Sequence, residues 1–171
     1  MSAHYPIFLD LTDRPCLVVG GGPVAEGKVR GLLTAGARVT VVSPTLSPLL
    51  ARLAAEGALA YHARGYAPGD LAGMALALAA TGDRAVSAAV LAEGRARGVW
   101  VNSADDPERC DFFLPALLRR GALAVAVSTG GVSPALTRAV RDALERQLPA
   151  ELAALVELVG EVRRELSERA L

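Results

Sequence analysis

The stretch Cys16-Leu-Val-Val-Gly-Gly-Gly-Pro-Val-Ala-Glu-Gly-Lys28 has the residue types and spacing to hold a phosphate. An apolar run breaks at Gly20, passes through Gly22 and continues past Pro23 and Val24 into a helix-like segment containing Ala25. That is the G-x-G-x-x-A spacing of dinucleotide sites, where glycines let the backbone approach a pyrophosphate at a helix N-terminus. Two other stretches carry possible chemistry. In Asn102-Ser-Ala-Asp-Asp-Pro107, Asp105 or Asp106 could serve as a general acid or base, or could cap a turn before Pro107. In Ser128-Thr-Gly-Gly131, backbone amides could cradle an anion, or Gly130 and Gly131 could only permit a turn.

The elements around these stretches alternate in period. Residues 16–20 read as a buried strand, and Val24 to Ala35 as a helix ended by Gly36. Arg38–Ser43 is a second strand, residues 49–56 a helix ending at Gly57, and Ala58–Ala63 a short strand. Met74–Ala80 is an apolar run of strand length despite the helix propensity of Ala and Leu. Asp83 to Arg97 reads as a helix closed by Gly98, followed by a strand over Val99–Asn102. Strands apolar on both faces, alternating with helices, predict a Rossmann-like, doubly wound parallel sheet of the α/β class. Ligands of such sheets lie beyond the carboxyl ends of the strands, so the loops after Val19, Val42, Ala80 and Val101 should face one another.

After Pro107 the pattern changes. Ala116–Arg119 and Leu123–Val127, joined at Arg120-Gly121, predict antiparallel strands. Ser133 is a good N-cap and Pro134 a good first helical residue for a helix stopped at Pro149. Leu152, Leu155, Val156, Val159, Val162 and Leu166 then form one apolar stripe at helical spacing.

Composition narrows the class. A chain of 171 residues that is 52% hydrophobic builds a packed core, and 18 basic against 18 acidic residues give no global attraction to nucleic acid or acidic membrane. The apolar runs are too short to span a bilayer, and Asp10, Asp13 and Arg14 stand where a signal peptide needs an apolar stretch, so a cytoplasmic location is expected. Cys16, Cys110, His4 and His62 form no cluster with ligand spacing, and no metal site is expected. Lys28, the sole lysine, reads as compositional bias rather than as a helix lysine facing the site. The acidic residue that binds the ribose of NAD, about 20 residues past the glycines, is missing; Ser43, Pro44 and Thr45 stand there instead, with no arginine for a 2′-phosphate. NAD is therefore expected over NADP.

Five motifs fall into one order: Tyr5-Pro-Ile-Phe8, Gly20-Gly-Gly-x-Val-Ala-x-x-Lys28, Ala79-Ala-Thr-x-Asp83, Asn102-x-x-Asp105-x-Pro107 and Ala126-Val-Ser-x-Gly-Gly-x-Ser-Pro134. Over roughly residues 4 to 149 the chain resembles the siroheme synthase N-terminal family, the precorrin-2 dehydrogenases, some of which are also sirohydrochlorin ferrochelatases. The resemblance implies NAD-dependent oxidation of precorrin-2 to sirohydrochlorin by a homodimer. It implies an NAD-binding Rossmann domain over residues 1–113, an α+β dimerisation segment over 114–148 and a C-terminal helix over 149–171. On the matching positions, the resemblance implies Asp105 as the general base. Gly20, Gly22, Pro23, Val24, Ser43, Pro44, Thr45, Ala80, Thr81 and Asn102 are implied cofactor contacts, and Ser128, Gly130, Gly131, Arg109 and Arg138 implied substrate contacts. Arg119, Arg120 and Arg141 are further candidate cations for the substrate carboxylates.

Gly82 replaces an acidic residue common in the family's nucleotide loop, which leaves backbone contacts there. One helix after Pro149 is short of the family's chelatase module, and the length leaves no room for a methyltransferase domain. A bifunctional dehydrogenase and ferrochelatase, or a non-catalytic regulator binding NAD or a tetrapyrrole, are the alternative readings.

Overall fold

The structure, a computed structural model, describes residues 4–169. The chain divides into two compact units, Tyr5–Phe113 and the segment from Leu114 onward. The first contains β1 (Pro15–Val19), α1 (Pro23–Thr34), β2 (Arg38–Val42), α2 (Pro48–Ala55), β3 (Ala60–His62), β4 (Leu76–Ala79), α3 (Arg84–Arg97) and β5 (Trp100–Ser103). Its five strands pair in the order β3-β2-β1-β4-β5, each pair parallel. This is the doubly wound α/β sheet expected from the alternating pattern.

Strand alternation sends neighbouring residues to opposite faces. Cys16 and Val18 of β1 join Val39, Val41, Leu76 and Leu78 under Ala25, Val29 and Leu32 of α1 and Leu50 of α2. Leu17 and Val19 join Ala77, Ala79, Val99 and Val101 under Val90 and Leu91 of α3. The Met74–Ala80 run is a strand in fact, with all of Leu76–Ala79 buried. Burial between two layers outweighs the helix propensity of Ala and Leu there.

Local signals set the helix ends. Asp83 caps α3 by accepting from the Ala85 and Val86 amides, and Gly98 closes it in the left-handed conformation (φ 68°). Gly94 lets α3 lie close on β5, because a Cβ there would sit 2.2 Å from Val101 Cγ2 and 3.0 Å from the Val99 carbonyl oxygen. Gly94→Ala gains about 1 kcal/mol of helix propensity. The clash with a buried, β-branched neighbour outweighs that gain, for a net loss of about 1–2 kcal/mol. It should show as a lower urea midpoint at unchanged slope.

The second unit holds an antiparallel hairpin, β6 (Ala116–Arg120) and β7 (Leu123–Val127), turning at Gly121 (φ 57°). Helix α4 (Pro134–Gln147) begins at Ser133, whose hydroxyl accepts from the Leu136 amide at 3.2 Å. Helix α5 (Leu152–Arg169) has no buried residue; Leu155, Val159, Val162 and Leu166 of its apolar stripe are exposed, as is Leu158 beside them. Among the described residues no helix is long and apolar enough to cross a membrane.

Candidate nucleotide and proton-transfer site

Because all five strands run parallel, the loops after β1, β2, β4 and β5 leave the sheet along one edge. Backbone bonds tie their departures together: Gly20 N–H donates to the Val42 carbonyl at 2.9 Å, Ala80 N–H to Val19 at 2.8 Å and Ala104 N–H to Ala79 at 3.1 Å. Gly20 has φ 118°, and a Cβ on it would lie 2.3 Å from the Ala80 carbonyl oxygen. Gly21 is equally hemmed in, with 2.1 Å from an added Cβ to the Thr45 carbonyl oxygen. Gly22 differs. It is extended (φ −88°, ψ −172°), and an added Cβ would meet nothing within 4 Å. It is also the N-cap of α1 and caps the helix with no side chain, while Pro23 opens the first turn. An uncapped helix end beside a vacant glycine fits an anionic group from outside the chain.

On the β2 side, Ser43 is buried, and its hydroxyl donates to the Thr45 carbonyl at 2.7 Å. Its hydrogen is thus committed to the turn that meets Gly21, whereas Pro44 and Thr45 are exposed. On the β4 side, Ala80 is buried, and the Thr81 hydroxyl accepts from the Asp83 amide at 3.1 Å.

Asn102 lies at the end of β5, 8% exposed. Its Nδ2 donates to the Phe112 carbonyl at 2.9 Å, and its Oδ1 accepts from Lys28 Nζ at 3.0 Å. Lys28 therefore faces the site, which overturns its reading as compositional bias. Helical spacing carries the signal: Lys28 follows buried Ala25 by three residues and precedes buried Val29, so it borders the covered face of α1. Burial pushes its ammonium below the ordinary lysine range, and the charge of the Asp105 carboxylate opposes that shift.

After β5 the chain turns through Asp105 and a 3-10 helix (Pro107–Arg109), then doubles back along the strand. Ser103 N–H donates to Cys110 Sγ at 3.0 Å, Asp111 N–H to the Val101 carbonyl at 2.9 Å, and Val101 N–H to Asp111 Oδ2 at 2.8 Å. Asp105 is exposed on this loop and lines an open cleft of about 510 Å³ with Arg84, Ser87, Asp106, Pro107, Glu108 and Arg109. Asp106 is occupied differently, its carboxylate held below the usual range by the Arg109 guanidinium, which donates to it at 2.6 Å. Of two adjacent carboxylates, Asp105 is the one without an ion-pair partner among the described residues.

The remaining candidates lie in the second unit. Ser128 is exposed, and its Oγ accepts from the Gly130 amide at 3.1 Å. Gly130 and Gly131 hold positive φ angles of 63° and 86°, so turn formation accounts for both glycines. The Thr129 hydroxyl, which sequence reasoning passed over, joins this turn to α4 through Ser133 and buried Thr137. Arg120 is bound to the Leu148 carbonyl and Glu145, and Arg141 to Asp142. Arg119 and Arg138 make no ion pair among the described residues, and both are exposed.

Residues 7–116 match the family described as "Putative NAD(P)-binding", and residues 120–147 match "Sirohaem biosynthesis protein central". A solved structure titled "SirC, precorrin-2 dehydrogenase" superposes with a TM-score of 0.78 at 31% identity, covering 94% of this chain and 79% of that one. The chain belongs to the siroheme synthase N-terminal family. The siroheme synthase of Methylobacillus flagellatus is 46% identical over 164 residues, covering 96% of this chain and 35% of that protein. That of Chromobacterium violaceum is 49% identical over 146 residues, 85% of this chain and 31% of its own length. The chain thus spans about a third of the length of these siroheme synthases. Membership in the family accounts for the glycine turn at β1 as part of an NAD(P)-binding domain.

Proposed function

We propose that this chain is an NAD-dependent precorrin-2 dehydrogenase, converting precorrin-2 to sirohydrochlorin in tetrapyrrole biosynthesis. The observation that carries the reading is the placement of Asp105, a carboxylate with no ion-pair partner among the described residues, on a loop leaving the same sheet edge as the vacant Gly22 turn. When bound, NAD supplies the hydride acceptor. The amides at the start of α1 hold the pyrophosphate, with Thr45 and the backbone of 43–45 at the ribose in place of a carboxylate. Oxidation removes a hydride with its electron pair and a proton from neighbouring atoms of the reduced macrocycle, leaving a new double bond. Asp105 accepts that proton, and the open cleft returns it to water.

Precorrin-2 is a polycarboxylate, and within the second unit Arg119, Ser128 and Arg138 are exposed, as residues that contact such a ligand must be. The exposed apolar residues Leu114, Leu117, Val132, Leu136 and Val140 support a homodimer built through residues 114–148.

The decisive experiment incubates the protein anaerobically with precorrin-2 and NAD. NADH formation together with the sirohydrochlorin spectrum is the expected result. NAD binding with no NADH formed would leave a regulator that binds without turnover. The relatives named siroheme synthase also motivate a separate assay with sirohydrochlorin and Fe²⁺ but no NAD, in which siroheme formation would add chelatase activity.

A further inference from the structure

The sole lysine of the chain stands half-buried on α1, and its ammonium donates to a neutral amide oxygen, Asn102 Oδ1, at 3.0 Å. Lys28 belongs to no ion pair among the described residues. Withdrawing an ammonium from water without a counter-ion in contact is costly. What the contact achieves is visible at its other end. Asn102 is held from both sides, because Oδ1 accepts from a cation while Nδ2 donates to the Phe112 carbonyl at 2.9 Å. A flipped amide would face its NH2 to an ammonium and its oxygen to a carbonyl, so one orientation survives. One N–H and one lone pair of Asn102 remain for another partner at the end of β5.

We propose that Lys28 is a positioning residue for the nucleotide site, fixing the side-chain amide of Asn102 so that its remaining donor and acceptor meet the cofactor. This rests on the proposed NAD-dependent function and on the family resemblance, which implies Asn102 as a cofactor contact. Lys28 touches no reacting atom in this role; its effect passes through Asn102.

Calorimetric titration of the full chain with NAD tests the coupling, using Lys28→Met, Lys28→Gln, Lys28→Arg, Asn102→Ala and the Lys28→Met/Asn102→Ala double variant. Loss of a charge-assisted hydrogen bond predicts about tenfold weaker NAD binding for Lys28→Met and for Asn102→Ala. The double variant should then lie within about twofold of the weaker single one, since both remove the same arrangement. Lys28→Arg, which keeps a cationic donor, should recover most of the affinity, and Lys28→Gln, which keeps a neutral donor, less. In the cofactor-free protein, the side-chain amide resonances of Asn102 should shift in Lys28→Met and stay near their wild-type positions in Lys28→Arg.

NAD affinity unchanged in both Lys28→Met and Lys28→Gln, or additive losses in the double variant, would overturn the proposal even if the thermal midpoint fell. A wild-type chain with no measurable NAD affinity would defeat the functional reading instead, and the amide resonances would still report whether Lys28 orders Asn102.

Discussion

Asp105→Asn is expected to lower the rate of NADH formation from precorrin-2 by about a hundredfold to ten-thousandfold, the range spanned by general base catalysis. NAD affinity should stay close to wild type. Asparagine matches the shape of aspartate but cannot accept a proton at neutral pH. The loop keeps its form because Asp105 contributes its backbone amide, not its side chain, to the bond with Ser103 Oγ. Asp106→Asn is the internal control. It removes a carboxylate of the same cleft, but one paired with Arg109 on an exposed surface, where ion pairs contribute little. Steady-state rates of the two variants should therefore separate widely. Equal losses would show that the cleft needs negative charge in general rather than a base at Asp105.

Gly20→Ala is expected to destabilise the chain by roughly 3–5 kcal/mol, combining left-handed strain with backbone overlap. The overlap is with the Ala80 carbonyl, which belongs to backbone anchored by the bond from the Ala80 amide to the Val19 carbonyl and cannot move aside as a side chain tip would. Gly22→Ala should separate binding from folding. Its Cβ enters open space at an ordinary φ, so stability should change by no more than about 0.5 kcal/mol. NAD affinity should nonetheless fall, because the new methyl occupies the approach to the helix N-terminus. Chemical denaturation and calorimetry on the same two variants check this. Comparable stability losses in both would contradict the vacancy at Gly22.

Local signals made most of the fold legible. The glycine turn, the stops at Gly36 and Gly98, and Ser133 followed by Pro134 each act over a few residues, and each element forms close to its expected place. Fully apolar strands revealed the parallel sheet, because only a layer covered on both faces makes such runs. The site was legible in part. Its glycines and carboxylates announce themselves by type, but their partners do not. Lys28 and Asn102 are 74 positions apart, and no local pattern links them. The hydroxyl of Ser43 looked free for a ribose, yet a buried turn uses its hydrogen first. Arg109, Arg120 and Arg141 looked like free cations, yet each lies against a carboxylate, of Asp106, Glu145 and Asp142 in turn.

The return segment after Asp105 also bears on how copies of this chain can meet. Strand β5 is the last in its sheet, and an open strand edge invites another strand to add to it. Here the backbone and carboxylate of Asp111 already occupy both polar groups of Val101, and Cys110 Sγ takes the Ser103 amide. The opposite border, β3, has only three residues. Neither border offers a long row of free amides, so the sheet is shielded from growing into a continuous intermolecular sheet. A single loop thus presents the Asp105 carboxylate outward and guards the sheet against fibre-like association inward. Substitutions at Asp111 would expose that border as well as loosen the loop.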